Sequence, residues 1–211
     1  NWGSSLPQVF TNGLTMANLI DLTTYRDLQG ITTGTSDFLL SSLIDSVSEL
    51  VKTYCGNSIV DYYYTNKIET LSIDWSTHVA QLTESPVNTI ISVEERSSYS
   101  SLYTTLTTDN HEYYFDASTD SLLRTRGTTQ YRPWPQGPGS VRITYTAGYA
   151  ETPLDLRLAV VDLITYYYKG EHKERKTLNG ASIQNSSSTS LSNNVAFPDH
   201  IKRVLDLYKN F

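Results

Sequence analysis

Carboxylates come first, because two of them held a few ångströms apart can divide acid and base roles in hydrolysis. Glu94 and Glu95 are adjacent. On a strand such neighbours point to opposite faces, so they cannot share one substrate. They are expected at a solvated strand end. Asp116 and Asp120 flank a short polar stretch, where Asp typically bonds nearby backbone in a turn. The histidines, His78, His111, His172 and His200, are scattered, with none four residues from another. No metal-ligand spacing emerges, and one cysteine cannot build a thiolate zinc site. Cys55 lacks a partner for an internal disulfide and falls at an expected helix C-terminus, without the cationic setting that activates thiolates. It reads as a small buried residue.

The remaining motifs are equally unreactive. No Gly-x-Ser-x-Gly elbow, phosphate loop or dinucleotide fingerprint occurs. Gly137-Pro-Gly139 looks like a glycine loop, but proline removes the amide donors such a loop needs. Asn185-Ser-Ser187 fits a glycosylation sequon with nothing to indicate secretion. Lys169, Lys173, Arg175 and Lys176 alternate with Glu171 and Glu174. That mixture reads as a solvated helix end or linker, with contact to an acidic partner as the alternative. Tyr62–Tyr64 and Tyr166–Tyr168 could stack on sugars or bases. Consecutive residues face different sides, so each run is expected to serve core on one side and interface on another. The expectation is a protein without catalytic residues, cofactor or metal.

Composition narrows the class further. The chain has 211 residues, 38% hydrophobic and only 18% charged, which suits one domain with an arm. Ser and Thr fill about a quarter of it, and 16 Tyr stand against 5 Phe and 3 Trp. Disorder is poor in aromatics, so this is not a disordered composition. Tyrosines of this kind suit partly wet protein interfaces. No apolar stretch is long enough to span a membrane. The net charge of -6 argues against an electrostatic nucleic-acid grip by the whole surface. The charge is uneven: residues 1–56 carry -3, 57–150 carry -4 and 151–211 carry +1. The first residues lack the basic and apolar regions of a secretion signal.

Residues 1–18 are polar and aperiodic and read as an N-terminal arm. A short helix signal covers Asp21–Gly30, with Thr23 or Thr24 as cap. A longer helix is expected over about 37–55. Phe38, Leu39, Leu40, Leu43, Ile44, Val47, Leu50, Val51 and Tyr54 give it one wide apolar stripe, and Gly56 ends it. Short alternating runs then predict strands at Ile59–Tyr64, Glu69–Trp75, Val79–Leu82, Val87–Glu95, Leu102–Leu106, Glu112–Asp116, Ser121–Arg124 and Val141–Tyr145. They form an antiparallel sheet or small barrel-like module. Arg132–Gly139 is proline-rich and reads as a rigid, exposed loop outside any central strand. A helix over about 153–169 is apolar nearly all round, and Gln184–Asn194 reads as solvated linker. Pro198–Phe211 regains helical spacing but is short, so it must dock on its own domain or on a partner. The fold class is α+β: a helical core, an antiparallel β-module over about 59–146, and a C-terminal helical arm. The domain spans 19–170, followed by linker and docking helix over 171–211.

One strand-to-helix passage carries a resemblance. Val141-Arg-Ile-Thr-Tyr-Thr-Ala-Gly-Tyr149, then Pro153 and a Tyr-ended helix, resembles the head–tail connector proteins of tailed bacteriophages, also called head-completion or adaptor proteins. The short helix near Tyr25–Leu28, the long helix from Asp37 and its Tyr54-Cys-Gly56 ending follow the family's layout. So do Glu84-Ser-Pro86-Val87 before Ile90–Val93, and Trp134-Pro135 ahead of the last strand. The resemblance covers about residues 20–170.

It implies a virion structural protein at the head–tail junction, made in the host cytoplasm. Such subunits form a ring, commonly a dodecamer, beneath the portal protein, extend the channel through which genomic DNA passes, and offer a surface to tail or neck proteins. Portal or neighbour docking is expected at Ile201, Val204, Leu205, Tyr208 and Phe211. The ring core and subunit interface are expected at Leu43, Val47, Leu158, Val161, Ile164, Tyr166, Tyr167 and Tyr168, and a tail-facing loop at Trp134 and Pro135. An alternative is a carbohydrate- or receptor-binding module of a tail fibre, based on aromatic residues displayed on a β-scaffold. A small hydrolase has no assembled triad or acid pair behind it.

Overall fold

The computed structural model describes residues 17–32, 34, 36–170, 175–178, 181–184 and 197–209. Most of the expected arm, His172, Lys173, Asn185–Ser187 and Phe211 lie outside the described residues. The structure is mixed helix and antiparallel sheet, the α+β class expected.

Four helices make the first layer: α1 (Leu22–Gln29), α2 (Asp37–Cys55), α3 (Leu154–Lys169) and α4 (Asp199–Leu205), the last continuing into a 3₁₀ turn over Asp206–Tyr208. The cap of α1 is Asp21 rather than Thr23 or Thr24. Its Oδ1 accepts the Thr24 N–H at 2.8 Å, and a carboxylate there also meets the positive end of the helix dipole. The buried stripe of α2 is narrower than its apolar content suggests. Leu40, Ile44, Val47, Val51 and Cys55 face inward, while Phe38 is 90% exposed. Inward residues of all four helices join Leu19, Ile20, Ile59 and Phe197 in one apolar cluster.

Two sheets make the second layer. One runs β1 (Lys67–Ile73), β8 (Gly137–Ala147), β3 (Val87–Glu95), β4 (Thr104–Leu106) in that order. The other runs β2 (Val79–Gln81), β6 (Ser121–Arg126), β5 (Tyr113–Asp116), with β7 (Gln130–Tyr131) also paired to β6. Their facing sides bury a second cluster that includes Val93, Leu122, Trp134, Val141, Ile143 and Tyr145. Full burial of each aliphatic side chain is worth about 1.5–3 kcal/mol, so the two clusters give each layer its own core.

Three expectations for this region need correction. Ile59–Tyr64 is a run of turns, not a strand: Asn57 Oδ1 accepts the Ile59 N–H and Ile59 takes a φ of 62°. The proline-rich stretch does enter a central strand, because β8 begins at Gly137. Pro138 is tolerated there since pairing with β1 shifts register between Leu71 and Ile73, and a bulge spares the missing donor. The segment before the expected Gln184–Asn194 linker holds an antiparallel hairpin, β9 (Arg175–Leu178) with β10 (Ala181–Gln184).

Candidate interface surfaces and the junction behind them

Two of the sequence passages that carried the resemblance, Val141–Tyr149 and Glu84–Val87, meet where helices join sheet. Tyr145 is fully buried. Its hydroxyl donates to Glu69 Oε2 at 2.5 Å and accepts the Glu84 N–H at 3.3 Å, and burial pushes the phenol well above its ordinary range. Two residues on, Ala147 N–H donates to the Tyr62 carbonyl at 3.0 Å. Gly148 N–H then reaches the Pro86 carbonyl at 2.7 Å, and Tyr149 N–H the Ile59 carbonyl at 2.8 Å. Gly148 has φ +89°, and a Cβ there would lie 2.2 Å from the Ile59 oxygen. Only glycine allows this approach. The carboxylate of Glu84 accepts from Ser58 N–H at 2.7 Å and from Lys67 Nζ at 2.6 Å.

Beside this junction Lys52 and Asp61 form a buried ion pair, their side chains 5% and 3% exposed. Lys52 Nζ donates to both Asp61 oxygens at 2.8 and 2.9 Å and to the Ala17 carbonyl at 2.7 Å. Ala17 N–H returns a bond to Asp61 Oδ1 at 2.9 Å, so the pair fixes the start of the described chain. Sequence reading passed over Lys52 because it lies inside an apolar run. Its only signal was a lysine where helical spacing demands an inward position.

The terminal helix docks on its own chain. Ile201 and Leu205 are buried in the helical cluster, with Val204 and Tyr208 packed against it. Tyr54 hydroxyl donates to Asp206 Oδ1 and Tyr208 hydroxyl to Asp155 Oδ1, each at 2.6 Å. Asn57 Nδ2 reaches the Tyr208 carbonyl at 3.0 Å. Of the residues expected to dock on portal or a neighbour, Ile201 and Leu205 thus fill an internal groove, while Arg203, Asp206 and Leu207 are among the exposed positions of this segment.

The expected ring set divides the same way. Val47, Val161 and Ile164 are buried in their own core, and Leu43, Tyr166 and Tyr167 pack against it. Leu158 and Tyr168 are exposed. Trp134 is 1% exposed, so the expected tail-facing loop turns its indole into the sheet cluster, with Pro135 half-buried beside it. Its ring lies 5.8 Å from the Arg124 guanidinium. Arg124 in turn forms a fork on Glu95, at 2.8 and 2.9 Å. Glu95 and Glu94 are therefore not a solvated strand end, since Glu94 also accepts from Arg142 Nε at 2.7 Å. That bond is the first cause holding its carboxyl below the usual range. Asp116 does serve the turn, its Oδ1 accepting from Ser118 N–H at 2.9 Å and Ser118 hydroxyl at 2.6 Å, whereas Asp120 reaches a distant segment, accepting from Ser85 hydroxyl and Val87 N–H.

What remains outside is apolar in unusual places. Tyr168 hydroxyl reaches Ser36 Oγ at 3.3 Å, while the 3₁₀ turn bridges Tyr54 and Asp155. α2 and α3 thus run antiparallel. One end of the pair presents Phe38 and Leu39, and the other presents Leu154 and Leu158. Among the described residues no three potential metal ligands cluster, and no helix is long and apolar enough to cross a membrane.

Fold and surface together define an α+β subunit whose polar side chains lock layers together and whose outer helix ends carry bare apolar residues. The chain belongs to the head completion protein family, which it matches over residues 18–211. No curated protein sequence matches it. Among solved structures it is similar to a chain in the neck of the empty gene transfer agent particle computed with C6 symmetry, at 16% identity and a TM-score of 0.57. The native-particle neck computed with C12 symmetry gives 15% identity and the same score. Each match covers 92% of this chain and 90% of the other. A chain from the native gene transfer agent virion follows at 18% identity and a TM-score of 0.56.

Proposed function

We propose that this chain is a structural subunit of the virion neck, forming an adaptor ring on the portal vertex. The ring extends the DNA channel after packaging and offers an attachment surface to the tail. The observation that carries the reading is the family match over residues 18–211. The symmetric necks in which its structural neighbours sit support a ring. Two unlike apolar ends on one helix pair support it physically, because a head-to-tail contact that closes yields a cyclic oligomer.

In this reading the subunit contact uses Phe38 and Leu39 against Leu154 and Leu158 of the next copy, with Tyr168 at its margin. Portal contact through the terminal segment falls to Arg203 and Leu207 rather than to the buried Ile201 and Leu205. Genomic DNA passes without specific binding, consistent with the net charge of -6. The test is mass measurement of the full chain, alone and with portal protein. A ring in either case is the expected result; a chain that stays monomeric with portal protein present overturns the proposal.

A further inference from the structure

The outer face of the smaller sheet is unused by anything above. Its strands alternate: Leu122 and Arg124 of β6 are buried, so Leu123 and Thr125 point the other way. Register places Tyr114 opposite Leu123 and Tyr131 opposite Thr125. Tyr114 is 60% and Tyr131 64% exposed. These residues wall an open cleft of about 340 Å³ with His111 and Gln130 among its lining, within the range of about 300–1,000 Å³ usual for small-ligand clefts.

We infer that this cleft binds a neutral saccharide. None of the ten residues lining it is Asp, Glu, Lys or Arg, so neither a phosphate backbone nor an anionic or cationic ligand finds its counter-charge there. The lining offers three tyrosines, three threonines, one glutamine and one histidine. Aromatic rings give a sugar's apolar C–H face a flat surface, and hydroxyl and amide groups exchange hydrogen bonds with its hydroxyls. The platform is fixed before any ligand arrives. One face of the Tyr131 ring is stacked on His78, centroids 4.6 Å apart and planes 30° apart, so the other face is the one a sugar meets. The rim is pinned as well. His111 holds a φ of 51°, and its carbonyl accepts the Thr125 hydroxyl at 2.8 Å. A non-glycine residue in that region is costly and persists only where its surroundings hold it.

The test uses the full chain with chitohexaose, maltohexaose and mannohexaose separately, followed by saturation-transfer NMR and titration. Saturable binding of at least one at millimolar concentration or below is expected. Tyr114→Ala and Tyr131→Ala should each weaken it at least tenfold, while Tyr131→Phe should stay within threefold because the ring survives. Thermal melting checks each variant, and should an alanine variant unfold, Gln130→Ala serves in its place with a loss of at least threefold. No saturable binding of any of the three overturns the inference, as does binding unchanged in the alanine variants. Protection of Tyr114 and Tyr131 from modification in assembled necks, with no sugar bound by the free chain, would assign the face to a protein partner instead. The sugar-binding readouts on the free chain do not depend on ring formation, so their failure leaves the neck proposal standing.

Discussion

At the scale of single residues, the structure turns sequence motifs into steric and electrostatic requirements. Gly148 is the sharpest case, because its positive φ and the Ile59 oxygen 2.2 Å from a built Cβ act together. Gly148→Ala is expected to cost about 3 kcal/mol or more, read as a shifted denaturation midpoint. Lys52 makes a different kind of demand. Removing one partner of a buried ion pair leaves the other charged and dry, so Lys52→Met is expected to destabilise by about 3–5 kcal/mol. The double change Lys52→Met with Asp61→Leu should recover much of that loss, and a cycle that proves additive would mean the pair is uncoupled. Tyr145 and Gly148 were legible as a motif before their reasons were. Lys52, Asp61 and Glu69 were not, since a buried charge looks like a surface charge until its partner, set apart along the chain, is placed beside it.

At the scale of elements, helices read more faithfully than strands. The bounds of α2 and α3 follow from spacing, a glycine stop and a proline start, all local signals. The turns over Ile59–Tyr64 defeated the same reasoning because Ile59 and Val60 pack together on the helical cluster rather than alternating along a ladder. Hairpin β9–β10 carried a signal that was missed: Asn179-Gly180 separates its strands, a dipeptide favoured in tight hairpins. The terminal helix left two docking options open, and only the groove between α2 and α3 decides between them. That packing has a measurable consequence at Cys55, fully buried with its Sγ 3.7 Å from the Leu205 carbonyl. Burial raises its thiol from 9.0 to about 11, and burial likewise raises Tyr54 from 10.0 to about 12. Both groups ionise more easily in the unfolded chain, so their neutral forms favour the folded state fully below pH 9. That contribution declines as pH rises from 9 towards 12. Alkaline denaturation should therefore begin near pH 9, and Cys55→Ala should remove the lower part of this dependence. Alkylation of Cys55 at pH 8 should be slow in the native protein and at least tenfold faster in Leu205→Ala, which leaves a cavity beneath the helix. Equal alkylation rates would mean that α4 does not cover the thiol.

At the scale of the whole molecule, two layers with separate cores are joined by a polar junction, and two sets of bare apolar residues, Phe38 with Leu39 and Leu154 with Leu158, sit at opposite ends of one helix pair. If the ring contact is head-to-tail, each subunit uses one end to receive and the other to insert. Phe38→Asp disables one end and Leu158→Asp the other. Both positions are exposed, so each variant should keep its stability within about 0.5 kcal/mol. Under conditions where the unmodified chain forms rings, each variant alone should stop at the monomer. Mixed in equal amounts, they should form dimers and nothing larger, because one intact end of each kind remains to make a single contact. An isologous arrangement gives the opposite pattern: either variant alone would pair through its surviving end, and mixing would add nothing. Native mass spectrometry of three samples, the two variants and their mixture, separates the arrangements without any knowledge of the ring's copy number.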